Sequence, residues 1–99
     1  MTVHRYCVKK LGVHKGALAA ARVAQYAMTT ADLGHVPSNT EYCSWWVITT
    51  RTGFHHRALI KAAFGEDWRP VVEQLAAEIV RRGNRSPGVI KSMPLSLPA

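Results

Sequence analysis

Residues 39–63 read NTEYCSWWVITTRTGFHHRALIKAA, and the organisation of the chain turns on them. Just ahead of the stretch, Ser38-Asn39-Thr40-Glu41 fits a capping box, in which the Ser hydroxyl accepts from the third helical N–H and the Glu reaches back to the cap. A short helix is expected from Ser38, with Tyr42, Cys43, Trp46 and Val47 as its apolar positions. A tight turn follows around Val47-Ile48-Thr49. Thr49 is a good N-cap for a further helix of about residues 50–64, whose apolar positions are mainly Leu59, Ile60, Ala63 and Phe64 and which Gly65 ends. Capped helix, turn and second helix in succession form the helix-turn-helix layout. The small Cys43 would stand where the two helices cross and Ile48 would plug the turn. The N-terminal half of the second helix is then free to enter a DNA major groove.

Upstream, a long helix is predicted from about His14 to Leu33, because alanine, the best helix former, is abundant there. Ala20, Val23, Ala24, Ala27 and Ala31 recur at spacings of three and four, a small-residue face suited to close packing. Gly34 provides a left-handed stop, and Pro37 prevents continuation. Downstream, a helix is expected from about Asp67 to Arg82. Asp67 is its cap, Pro70 lies in its first turn, and Trp68, Val71, Val72, Leu75 and Ile79 form an apolar stripe. Arg81 and Arg82 suit its C-terminal dipole, and Gly83 closes it. Residues 1–13, with His4, Arg5, Lys9 and Lys10, read as a basic arm, either extended and reaching into a minor groove beside the recognition helix or packed as a short strand against the bundle. Residues 84–99, with three of the five prolines, read as a flexible tail, ordered only if a partner binds Val89, Ile90, Met93 or Leu95. The expected fold is a small all-α bundle: an arm over 1–13, a helix-turn-helix domain over 14–83 and the tail.

At 99 residues and 47% hydrophobic content the chain supports one small core. Charged residues interrupt every apolar stretch short of the ~20 residues of a spanning helix, and the N-terminus lacks the apolar run of a signal peptide. A cytoplasmic protein with no membrane partner is expected. Thirteen Lys and Arg against six Asp and Glu give a charge of +7, which favours a polyanion, with nucleic acid first and an anionic membrane surface second. Cys7 and Cys43 read as free thiols of a reducing compartment.

On the helix expected over 50–64, Gly53, His56, Leu59, Ile60 and Ala63 face inward. Thr50, Arg51, Phe54, His55, Ala58 and Lys61 face outward. Arg51 suits guanine O6 and N7 or a phosphate, and His55 can donate to a base acceptor or a phosphate. Thr49, Thr50 and Thr52 suit phosphate contact near the helix N-terminus, and Arg57 and Lys61 would extend the positive surface. Double-stranded DNA is therefore the expected partner. One small domain buries limited DNA surface, so useful affinity favours a homodimer or repeated sites.

The stretch from Glu41 to Arg57 resembles the helix-turn-helix of small actinobacterial and actinophage DNA-binding proteins. The likeness lies in the small residue at the helix crossing, the apolar turn residue and the hydroxyl-capped recognition helix. The connection Leu33-Gly34-His35-Val36-Pro37-Ser38 is similar as well, so the resemblance covers about residues 14–64. It implies a DNA-binding fold and a transcriptional or phage regulatory role. Val47 stands where such units usually carry Gly, and Gly53 where they carry a larger apolar residue.

Other residues suggest chemistry less strongly. Trp45 and Trp46 could stack bases, but adjacent helix positions point ~100° apart, so core packing is the simpler expectation for them and for Trp68. Five His and two Cys show no Cys-x-x-Cys or His-x₃-His spacing, so no metal or other cofactor is expected. With few carboxylates and no phosphate-binding Gly loop, an enzyme is not expected. The competing function is a small basic module that binds and inhibits a partner protein, acting through the last helix or the tail. A third is an architectural DNA binder with little sequence preference.

Overall fold

The computed structural model describes residues 1–38, 50–83 and 86–94, with the helical backbone alone at 50–56 and at Pro87. These residues form an all-α bundle, with no strand among them.

The first helix, α1 (Val3–Leu11), begins at Thr2, whose Oγ1 accepts the Arg5 N–H at 3.2 Å. A single residue then separates it from α2 (Val13–Leu33). Gly12 has φ 91° and ψ 173°, a region essentially restricted to glycine. Its N–H donates to the Val8 carbonyl and its own carbonyl accepts from Gly16 N–H, both at 2.8 Å. One peptide unit thus closes one helix and opens the next. The expectation of an extended arm or strand over 1–13 is corrected here. Val3 and Cys7 share one face and are fully buried, while Arg5, Lys9 and Lys10 remain exposed. The segment is an amphipathic helix whose apolar side lies on the bundle.

The long α2 is the centre of the fold and packs against every other helix described. Ala19, Ala20, Val23, Ala24 and Ala27 are fully buried, as the small-residue spacing predicts, and Ala31 is half-buried. Buried hydroxyls are satisfied within the helix, Thr29 donating to the Gln25 carbonyl at 3.1 Å and Thr30 to the Tyr26 carbonyl at 2.8 Å. The helix ends at Gly34 in the left-handed conformation, φ 85°. The Tyr26 hydroxyl, buried in the core, donates to the Pro37 carbonyl and holds the connection down.

The helix expected from Ser38 falls, but for Ser38 itself, outside the described residues. With it go Cys43, Trp45, Trp46, the turn residues Val47 and Ile48, and Thr49. Helix α3 spans Thr50–Phe64, with Ile60, Ala63 and Phe64 turned into the core. A 3₁₀ turn, Gly65–Asp67, leads into α4 (Trp68–Arg82). Asp67 occupies the N-cap position, but its side chain makes no capping hydrogen bond. The 3₁₀ turn supplies a backbone bond at this junction instead, Trp68 N–H to the Gly65 carbonyl. Trp68, Val71, Val72, Leu75 and Ile79 are the buried stripe.

A last helix, α5 (Pro87–Lys91), corrects the expectation for the tail. Ile90 and Met93 are buried in this chain's own core, with no partner required. The Met93 carbonyl accepts the Val3 N–H at 3.1 Å, and Thr2 and Pro94 form an antiparallel bridge. The first turn of a helix leaves N–H groups without an internal acceptor, and the C-terminal segment supplies one of them.

Candidate nucleic-acid interface

The residues expected to contact DNA divide into three groups. Thr49 lies outside the described residues. Thr50, Arg51, Thr52 and His55 fall on the N-terminal half of α3, where the helical backbone alone is described. Arg57 and Lys61 are described in full, and they differ. Lys61 is exposed. Arg57 is half-buried, its guanidinium 4.9 Å from the centre of the Trp68 ring, so it packs on the indole instead of standing free. Arg69 approaches the same ring at 5.5 Å. The outward side of α3 beyond Arg57 presents Ala58, Lys61 and Ala62.

Of two lysines not singled out by the motif, one stands beside this helix and the other is linked to it through an aromatic stack. Lys15, on the first turn of α2, lines one surface groove with Ala58, Leu59 and Ala62. Lys10 holds its ammonium 5.9 Å from the centre of the Tyr6 ring. That ring stacks on Phe64 of α3 at 5.1 Å and 5°. The signal for them was present in the composition: residues 1–31 contain five Lys or Arg and no Asp or Glu.

The charges are balanced differently across the molecule. Among the described residues, no carboxylate lies within ion-pair distance of Lys10, Lys15 or Lys61. At the C-terminal end of α4, by contrast, Glu78 pairs with both Arg81 and Arg82, the latter at 2.8 Å. Hydrogen bonds from Arg81, then Arg82, pull the Glu78 carboxyl from its ordinary 4.5 down to about 2. Because the folded value is the lower one, this trio's contribution to stability is complete above pH 4.5 and disappears as pH falls towards 2. The two arginines are exposed and Glu78 is half-exposed, so solvent screens the trio and the contribution is small. Glu78→Gln is expected to lower the thermal midpoint slightly at pH 7 and to leave it unchanged near pH 2. Equal effects at both pH values would show that the arginines do not act through the carboxylate.

Burial pushes the Cys7 thiol up to about 11, so it stays protonated at neutral pH and is a packing residue, not a nucleophile. Among the described residues, no three His, Cys, Asp or Glu side chains are grouped as metal ligands. No helix among them is long and apolar enough to cross a membrane. A second concavity, about 480 Å³, lies at the opposite end of α2 from the lysines, with Ala31, Val36, Ala76, Ala77 and Val80 among its walls.

Compared with protein-family models, with curated proteins and with solved structures, the chain has no match.

Proposed function

We propose that this chain is a cytoplasmic DNA-binding protein that presents α3 to the major groove of duplex DNA. One observation carries the proposal: the outward side of α3 combines small residues, Ala58 and Ala62, with the exposed Lys61, and Lys15 lies alongside with no carboxylate paired to it among the described residues. The major groove admits an α-helix, and a polyanion is held where positive charge is uncompensated. On this proposal Thr49, Thr50, Thr52, His55 and Lys61 contact the duplex near the groove, and Arg51 reads a base. Arg57 contributes less than its charge suggests, since it is half-buried against Trp68. The resemblance of residues 14–64 to actinobacterial and actinophage helix-turn-helix proteins extends the proposal to sequence-specific transcriptional or phage regulation, with a homodimer as the assembly.

The test is selection of binding sites from random duplex DNA at near-physiological salt. An enriched motif is the expected result, and its symmetry reports whether a dimer binds. Arg51→Ala is expected to cost ~1–3 kcal/mol on the selected site, about 5- to 150-fold in affinity, and to relax preference at one base position. Binding without enrichment would turn the proposal towards an architectural role. Absence of binding even at low salt would overturn it.

A protein-interaction module is the second reading, and the concavity at the far end of α2 favours it. Its walls mix apolar residues with Arg69 and Glu73, and Val80 there is 66% exposed. In that case Val80→Asp would abolish capture of the partner, while Arg51→Ala would leave it intact.

A further inference from the structure

We infer that the α1–α2 corner is a backbone-phosphate clamp, made by Lys10 and Lys15, that sets the angle at which α3 meets duplex DNA; this rests on the DNA-binding proposal above. The corner is rigid. Gly12 joins the two helices with a single residue, and at Gly16 the backbones approach so closely that a Cβ would stand 2.4 Å from Val8 Cα. Lys15 borders α3 directly, and Lys10 is linked to it through one aromatic ring. Lys15 shares a groove with Ala58, Leu59 and Ala62, near the middle of that helix. Lys10 lies over Tyr6, which stacks on Phe64 at its C-terminal end. The α1–α2 corner thus carries one lysine beside the middle of α3 and a second next to the ring that stacks on its C-terminal end. Neither has a carboxylate partner among the described residues, and the chain has no acidic residue before Asp32.

The division of labour follows from the chemistry of the duplex. Contacts to phosphate fix register and orientation and carry no sequence information, whereas contacts to base edges in the groove specify. A helix lying in a groove has a phosphate backbone along each side, so cations beside the helix, not on its outermost edge, meet that backbone. Lys9 lies elsewhere. It lines a separate groove with Met1, His4, Arg5 and Val8. It carries the same charge on the same helix but lines that groove instead of lying over the Tyr6 ring, and so separates position from net charge.

The experiment is fluorescence anisotropy with a labelled 30-base-pair duplex over a range of KCl concentrations. It compares wild type, Lys10→Gln, Lys15→Gln, the double variant and Lys9→Gln, with helicity checked by circular dichroism. Each lost phosphate contact lowers the slope of log K against log [salt] by about 0.9. Lys10→Gln and Lys15→Gln are each expected to show that change, the double variant about twice it, and Lys9→Gln none. The loss is expected to be equal on a selected site and on a scrambled one. A double variant with the wild-type slope would overturn the clamp while leaving α3 as the DNA-binding element. An equal change in Lys9→Gln would also overturn it, assigning the effect to net charge. Failure of the wild type to bind any duplex at low salt would overturn the DNA-binding proposal, and the clamp with it.

Discussion

Gly16→Ala is expected to destabilise the fold by about 2 kcal/mol net, although alanine is the better helix former. Replacing a mid-helix Gly normally gains ~1 kcal/mol. Here the added Cβ would lie 2.4 Å from Val8 Cα, 2.5 Å from the Cys7 carbonyl oxygen and 2.6 Å from Val8 N. These are backbone atoms, so no side-chain rotation relieves the overlap, and α1 must move off α2. Overpacking of this kind costs ~1–3 kcal/mol by itself. The displacement also loosens Val3 and Cys7, which are fully buried on α1, and parts Tyr6 from Phe64. Each kcal/mol lowers the melting temperature of a domain this size by ~4–8 °C. Thermal unfolding followed by circular dichroism measures the change directly. A variant more stable than wild type would mean that α1 does not rest on Gly16.

Ile90→Ala is expected to cost about 3 kcal/mol, the middle of the range for removing a large aliphatic side chain from a core. Ile90 and Met93 are fully buried, and the segment carrying them also gives the Met93 carbonyl to the Val3 N–H. Loosening it therefore uncovers the start of α1 as well as the side-chain cavity. Met93→Ala is expected to behave similarly. The two losses are not expected to add, because both side chains hold one short segment against the same neighbours. Urea unfolding gives the numbers, and hydrogen exchange at the Val3 amide adds a local check: its protection should fall in both variants. A loss below ~0.5 kcal/mol for Ile90→Ala, the level of an ordinary surface substitution, would return residues 84–99 to the role of a loose tail.

The candidate interface was half legible before the structure. Lys61 was readable as outward-facing because its neighbours Ile60, Ala63 and Phe64 are apolar at helical spacing, and the structure buries those three and exposes it. Arg57 was not readable. Its place depends on Trp68, eleven positions away and across the Gly65–Asp67 turn, and no periodicity within one helix reports a contact between two. Lys15 was likewise invisible as a neighbour of α3. It precedes Ala58 by more than forty residues, and its position follows from the way α2 crosses that helix.

What the sequence determined by itself is the long helices and their stops. The expected spans of about 14–33, 50–64 and 67–82 agree with Val13–Leu33, Thr50–Phe64 and Trp68–Arg82 to within a residue. Helices of four turns or more repeat their apolar pattern often enough to be read, and a glycine in the left-handed region ends a helix whatever packs against it. The tertiary structure alone decided the state of both ends. Val3–Leu11 and Pro87–Lys91, nine and five residues long, are below the length at which a helix sustains itself in water. They are helical because α2 offers a surface on which Val3, Cys7 and Ile90 are buried, and because the Met93 carbonyl accepts the Val3 N–H that α1 leaves without an internal partner.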